Sequence, residues 1–260
     1  MLSARYRPWH VPLFAAKYGW LHARRRPVLV HFEVTMRCNA RCDFCDYWRT
    51  EESARAGEHA AFADAARRFA PLMITFTGGE PLLRRDLEGI VAAVAGAVRL
   101  TYIAVITHGA MLTVDRARAL RAAGIDQFNI SLDYLDERHD RARGIPGLAA
   151  RILDLVPRLR AAGVDAVRFN TDIKDDNLDQ LVPIVERAAA LGAGVSFSAY
   201  SASKNGNAAH RPRPAQAQEL QAAVDALLAF KRRRRGVIVN SDHYLAAIPR
   251  WFRGEDLGPC

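Results

Sequence analysis

"TMRCNARCDFCDYW", residues 35–48, holds three of the chain's four cysteines. Cys38, Cys42 and Cys45 are spaced C-x3-C-x2-C, and the fourth, Cys260, is the last of 260 residues. Thiols crowded in this way do not make a disulfide framework for a chain of this length. They point to a reducing compartment, hence a cytoplasmic setting, and to a metal. Structural zinc takes four ligands in a closed tetrahedron, commonly from paired C-x2-C knuckles. Here one C-x2-C has a third cysteine four positions upstream and no second knuckle nearby; His59 is a candidate fourth donor that no pattern places. A [4Fe–4S] cluster on three thiolates instead keeps one iron without a protein ligand, open to a substrate or cofactor.

Working outward, the cysteine stretch follows a β-rich run, residues 28–35. Five further candidate strands lie at 72–78, 101–109, 127–133, 165–171 and 195–201. Helical patterns fall between them at 59–69, 86–98, 114–123, 147–162 and 178–191, and several end at glycine before the next strand, which reads as a C-cap. Such alternation predicts a parallel sheet with right-handed crossovers. The unusual residues all sit at strand C-terminal ends: 37–45 after the first, Gly78–Pro81 after the second, Thr107–Gly109 after the third and 131–133 at the fourth. Functional loops gathered at that rim are the barrel arrangement. The expected fold class is therefore α/β, a partial (β/α)6 TIM-like barrel open on one side. Residues 28–201 form its core, preceded by a basic amphipathic segment (1–27) and followed by a helical extension (202–260).

Half of the chain is apolar and a quarter charged, as in a globular protein. No stretch reaches the ~18 uninterrupted apolar residues of a membrane span. The net charge of +9 is concentrated in residues 23–27 and 231–236. Such runs are most simply solvated helix ends, and arginines before Gly236 suit a helix dipole. A zinc-stabilised nucleic-acid module using Arg232–Arg235 is a reading of another class, but the aromatic stacking platforms such a module uses are missing around that run. In the first segment Leu13, Phe14, Trp20 and Leu21 stand among basic residues. They suit either an interfacial helix on anionic lipid or, the favoured reading, a helix packed across the bottom or side of the barrel. Beyond Gly236, "VIVNS" reads as a further strand and "HYLAAIPRWF" as a short helix broken at Pro249.

With these motifs in this order, the sequence resembles the radical S-adenosylmethionine (SAM) superfamily. Cys38, Cys42, Phe44 and Cys45 match its C-x3-C-x2-C signature with an aromatic before the third cysteine, and Gly78, Gly79, Glu80 and Pro81 match its Gly-Gly-Glu-Pro turn. The resemblance covers about residues 28–201 and implies one three-cysteine [4Fe–4S] cluster with SAM chelated at the open iron. Electrons would come from a low-potential donor such as flavodoxin or ferredoxin. The product would be a 5′-deoxyadenosyl radical that abstracts hydrogen from a peptide or small metabolite. The glycines would let backbone approach the methionyl group, with Glu80 accepting from its ammonium.

Further matches are looser. Ser131 and Asp133 lie in a fourth-strand "SLD" motif. Arg143, in the segment "ERHDRARGIPG", would reach the SAM carboxylate, and Asn170 the ribose. Thr107 is followed by His108 where many members carry asparagine, and Tyr47 and Trp48 would cover the cluster or the adenine. Cys260 resembles the first cysteine of the SPASM or twitch extension of peptide- and carbohydrate-modifying members, or is a plain terminal thiol. Action on a lipid or isoprenoid at a membrane surface, with the basic first segment docking there, is a second reading within the family.

Overall fold

The computed structural model describes residues 6–49, 58–202 and 206–257; Cys260 lies outside them. The six strands are β1 (Leu29–Thr35), β2 (Met73–Gly78), β3 (Tyr102–Thr107), β4 (Gln127–Ser131), β5 (Val167–Ile173) and β6 (Gly194–Ala199). They form one sheet in the order β1-β2-β3-β4-β5-β6. Such an order contains no reversal, so it lacks the switch point of a doubly wound sheet. The helices between strands are α2 (His59–Phe69), α3 (Leu87–Ala97), α4 (Val114–Ala123), α5 (Glu137–Arg143), α6 (Leu148–Ala161) and α7 (Leu181–Leu191). Helix α1 (Val11–Ala23) precedes the sheet, and α8 (Ala217–Arg233) and α9 (Asp242–Phe252) follow it. Among the described residues no helix is long and apolar enough to cross a membrane.

The chain divides into two compact units. The first comprises Met1–Ala40, Tyr47–Asn129 and Pro157–Val167. Its strands pair in parallel, Leu29 opposite Met73 and Met73 opposite Tyr102. Phe32, Val34, Ile74, Phe76, Ile103 and Val105 are buried on them, as are Ala66 of α2, Ile90 and Val94 of α3 and Leu120 of α4. Each large side chain so buried stabilises by about 1.5–3 kcal/mol. Small residues on α2 let it pack against α3, which packs in turn against α4. Thr113 starts α4 by accepting the Arg116 N–H at 3.2 Å. Buried Asp126 joins β3 to the entry of β4, donating its N–H to the Ile103 carbonyl at 2.7 Å and accepting the Ile103 N–H at 2.8 Å.

The second unit comprises Arg41–Asp46, Ile130–Val156 and Arg168–Cys260. Here β5 and β6 pair in parallel, Arg168 opposite Gly194 through Ile173 opposite Ala199. Two expectations fail in this unit. Residues 237–241 do not make a strand; Ile238 forms one isolated bridge with Val195. The side chain of Asn240 then takes a strand's place, accepting the Phe197 N–H at 2.7 Å and donating to the Phe197 carbonyl at 2.9 Å. Nor does Pro249 break a helix. Helix α9 runs through it from a Ser241 cap to Phe252. One lost N–H bond is offset by packing against α8 and by burial of Leu245, Ile248 and Pro249 itself.

Asp126→Ala removes the acceptor of a buried strand N–H. It should lower the unfolding free energy by about 1–3 kcal/mol, read from urea unfolding. A midpoint and slope equal to the parent's would show that this pairing does not hold β3.

Candidate functional site

In the first unit the second strand ends against the cysteine loop. Gly78 pairs with Thr35 across β1 and β2 and adopts φ +132°. A Cβ there would lie 2.1 Å from the Thr35 carbonyl oxygen, and one on Gly79 would lie 2.2 Å from that of Arg37. The two chains are joined by Gly79 N–H to Thr35 O and Glu80 N–H to Arg37 O, both 2.8 Å. The glycines are thus demanded first by the backbone of the residues leading into Cys38. Past the turn, Arg84 is buried, donating to the Val34 carbonyl at 3.0 Å and forming a bidentate pair with Asp86. The charge on Asp86 is stabilised by that hydrogen-bonded guanidinium, which holds its carboxyl far below the ordinary range. Arg116 of α4 reaches the carbonyls of Leu82 and Arg84.

Glu80 is fully buried. Its Oε1 accepts from the Leu82 N–H at 3.0 Å and the Thr107 hydroxyl at 2.7 Å, and its Oε2 from the His108 N–H at 2.9 Å. The His108 ring folds back over the same group. Its Nδ1 accepts the Ala110 N–H at 3.1 Å, which assigns the ring proton to Nε2. That nitrogen lies 3.1 Å from Glu80 Oε2 and 2.9 Å from Asn39 Oδ1. Gly78, Gly79, Glu80, Thr107 and His108 therefore meet, and Pro81, buried, starts the short turn that follows. Asn39, between the first two cysteines, was not legible as a partner; nothing in the sequence pairs it with a residue 69 positions away.

In the second unit the other part of the cysteine loop rests on the end of α5. The Arg41 N–H donates to the Arg143 carbonyl at 2.9 Å and the Asp43 N–H to that of Ala142 at 3.3 Å. Asp136 caps α5, and Gly144 ends it close against Arg41. Arg143 turns inward: its Nη2 is 2.7 Å from Asp133 Oδ2 and its Nη1 4.0 Å from Cys42 Sγ. Its buried Nε has no hydrogen-bond partner among the described residues. Phe44 lies beneath two cations, with Lys174 Nζ 4.4 Å and Arg143 Cζ 5.3 Å from the ring centre. Lys174, which the sequence reading missed, directly follows β5 and is fully buried, with its Nζ also 4.6 Å from the Tyr134 ring centre and 4.0 Å from Asp133. A lysine after an apolar strand reads as an exposed loop residue unless its aromatic neighbours are known.

Asp133 is the hub of this cluster. Burial works against its charge, but Arg143 and Lys174 outweigh burial and hold its carboxyl below the ordinary range. Asp172, whose N–H donates to Asp133 Oδ1 at 3.0 Å, is pushed up to about 6, first by burial and then by Asp133. The Arg143 guanidinium stays charged because Asp133 and then Cys42 offset its burial. His139 accepts the Asp133 N–H on Nδ1, leaving a buried Nε2 without a partner among the described residues. Burial, then Arg143, lowers its pKa to about 3. Ser131 lies at the end of β4, half-buried, and Asn170 contributes its carbonyl to the Leu132 N–H.

Cys38 belongs to the first unit, Cys42 and Cys45 to the second. Among the described residues no disulfide joins them. Among the described residues no three His, Cys, Asp or Glu side chains converge as a preformed metal-ligand set. His59 pairs with Asp86 at 3.0 Å and packs on Gly89. Tyr47 donates to Glu33 on β1, and Trp48 lies under the Arg49 guanidinium.

A family model described as the Radical SAM superfamily matches residues 32–188. A GTP 3′,8-cyclase of Mycobacterium sp. (strain KMS) is 40% identical over 113 residues, which cover 41% of this chain and 32% of that protein. A GTP 3′,8-cyclase of Listeria monocytogenes (strain EGD-e) is 31% identical over 148 residues, 55% of this chain and 43% of that one. The chain thus spans less than half of the length of these curated relatives. Among solved structures, Streptococcus suis SuiB bound to its precursor peptide SuiA superposes with a TM-score of 0.70 at 17% identity, covering 95% of this chain and 57% of that one. The structure of anSMEcpe with bound AdoMet and a peptide gives 0.66 at 16% identity, with 88% and 67% covered. These likenesses show the fold, a partial (β/α)6 barrel.

The pKa directions set a pH dependence. Because folded His139 resists protonation until about pH 3 while the unfolded ring accepts a proton near 6.5, it makes stability fall as pH drops through that window. Asp172, raised from 3.8 to about 6, acts oppositely within it; Asp133, lowered, adds a loss only below about 3.8. His139→Gln should therefore lose less unfolding free energy between pH 6.5 and 4 than the parent, measured by denaturant titration across that range. An equal or steeper loss would count against a neutral buried ring.

Proposed function

Because the chain belongs to the radical SAM superfamily, and so is an enzyme whose family cofactors are a [4Fe–4S] cluster and SAM, we propose that Cys38, Cys42 and Cys45 hold the cluster and that Gly78–Pro81 and Arg143 receive SAM. When bound, these groups supply a one-electron reductive cleavage to methionine and a 5′-deoxyadenosyl radical, which takes a hydrogen atom from the substrate. The observation that carries the reading is the hydrogen-bonded seam between the Gly-Gly-Glu-Pro turn and Thr35–Arg37, which ties that turn to the chain entering Cys38. The residues suit the groups. Three cysteine thiols are the right donors for iron. Arg143 keeps a buried N–H for an anionic group such as a carboxylate. Glu80, its acceptor sites facing Thr107 and His108 here, offers a buried carboxylate to an ammonium once the Nε2–H of His108 gives way. Thr107 and His108 position Glu80; Phe44, Ser131, Asp133 and Asn170 complete the SAM-facing set.

The substrate is a peptide or small metabolite, and the similarity to GTP 3′,8-cyclases favours the small-metabolite side. The setting is cytoplasmic, with a flavodoxin or ferredoxin as electron donor. Anaerobically reconstituted protein should carry about four irons per chain and form 5′-deoxyadenosine from SAM with dithionite. The combined Cys38→Ala, Cys42→Ala, Cys45→Ala variant should lose both. A full iron complement in that variant would sink the assignment.

Glu80→Gln should keep the cluster yet bind SAM about ten- to a hundredfold more weakly in a calorimetric titration, since a charge-assisted bond contributes roughly 1.5–3 kcal/mol. Unchanged affinity would remove Glu80 from the SAM site.

A further inference from the structure

Helix α1 has the wrong composition for an exposed helix. Apart from His22, Lys17 is the one basic side chain in Val11–Ala23, and no acid occurs there. A helix apolar on all sides normally lies inside a protein or a membrane, yet only Leu21 is buried. The helix is fixed along one edge. Lys17 Nζ donates to the carbonyls of Pro71, Arg99 and Leu100 at 2.8–3.1 Å. Just upstream, Tyr6 donates to the Thr101 carbonyl at 2.7 Å and meets Phe14 edge-on. The rest faces outward: Val11, Leu13, Tyr18 and Trp20 are 45–53% exposed, and Trp9 is 69% exposed. At 100° per residue Leu13 and Trp20 lie on one flank and Val11 and Tyr18 on the other, with Ala16 and Gly19 between them. The apolar band is continuous.

Charge identifies the occupant. Residues 1–32 contain no Asp or Glu, whereas Arg7, Arg24, Arg25 and Arg26 flank the band. Arg7, Arg24 and Arg25 are exposed, and Arg26 sits 5.4 Å over the Trp20 ring. We propose that α1 docks this protein on an anionic lipid bilayer. Trp9, Leu13, Tyr18 and Trp20 enter the boundary between headgroups and acyl chains, and the arginines lie among the headgroups. Tryptophan and tyrosine suit that boundary because each has an apolar ring and one polar atom. A second copy on the same face would bring the arginines against each other. Within the first unit, α1 is anchored to the loops that precede β2 and β3, whereas Gly78 and Thr107 stand at the far ends of those strands, about 20 Å away. The contact is an attachment, distinct from the candidate site.

The test is co-sedimentation of the full, cluster-loaded chain with phosphatidylcholine vesicles containing about one third phosphatidylglycerol. Wild-type protein should pellet with them, and should remain in solution with pure phosphatidylcholine or at high salt. Arg24→Gln with Arg25→Gln should weaken binding about thirtyfold, from roughly 1 kcal/mol per arginine. Trp9→Ser with Leu13→Ser should weaken it at least about tenfold. Both variants should form 5′-deoxyadenosine in vesicle-free solution at the parent rate. Wild-type protein left in the supernatant, or variants that bind as tightly as the parent, would overturn the proposal. So would a concentration-dependent dimer that Trp9→Ser with Leu13→Ser dissolves, which would assign the face to a second copy.

Discussion

Two side chains that are not there organise the first unit. A Cβ on Gly78 or Gly79 would stand just over 2 Å from a carbonyl oxygen of Thr35 or Arg37, far inside van der Waals contact. With hydrogen there instead, two 2.8 Å backbone bonds close between the turn and the chain entering Cys38. The position of Glu80 follows, since its own N–H makes one of those bonds. Its carboxylate then lies where Leu82, Thr107 and His108 all donate to it, fully removed from water. An unpaired carboxylate at that depth would be strongly destabilising; several charge-assisted hydrogen bonds make it tolerable.

The second unit solves a different problem, the burial of cations. Arg143 and Lys174 are both nearly inaccessible, and Asp133 is the carboxylate within ion-pair reach of each. The ring faces of Phe44 and Tyr134 supply further negative potential at short range. Asp172, beside the hub, does not share its role: burial, and then the neighbouring Asp133, raise its pKa, whereas that of Asp133 is lowered. Two carboxyls in one cluster are thus driven apart by their surroundings.

The family membership bears on these arrangements unequally. It accounts for the cysteine spacing and the Gly-Gly-Glu-Pro turn, both inside the matched residues 32–188. It does not account for α1, which lies outside that range and whose exposed apolar band is a property of this chain.

What the sequence by itself determined is what short-range chemistry determines. The spacing of Cys38, Cys42 and Cys45, the glycine pair before Glu80, and the apolar runs alternating with glycine-ended helices were enough for the chemistry and the βα order. Helices α2 and α4 begin and end where their patterns do. Tertiary structure decided whatever depends on partners distant in the chain. Pro249 stays within a helix because packing against α8 offsets one missing bond, and Ile238 makes a lone bridge because Asn240 satisfies Phe197 instead. His108 turns to Glu80 and Asn39, 28 and 69 positions away. Lys174 is buried because two aromatic rings and Asp133 receive its charge. For the last three the physical reason is the same. Backbone propensity and ligand spacing act over a few residues, whereas burying a polar or charged group is favourable only when the folded chain brings it a partner.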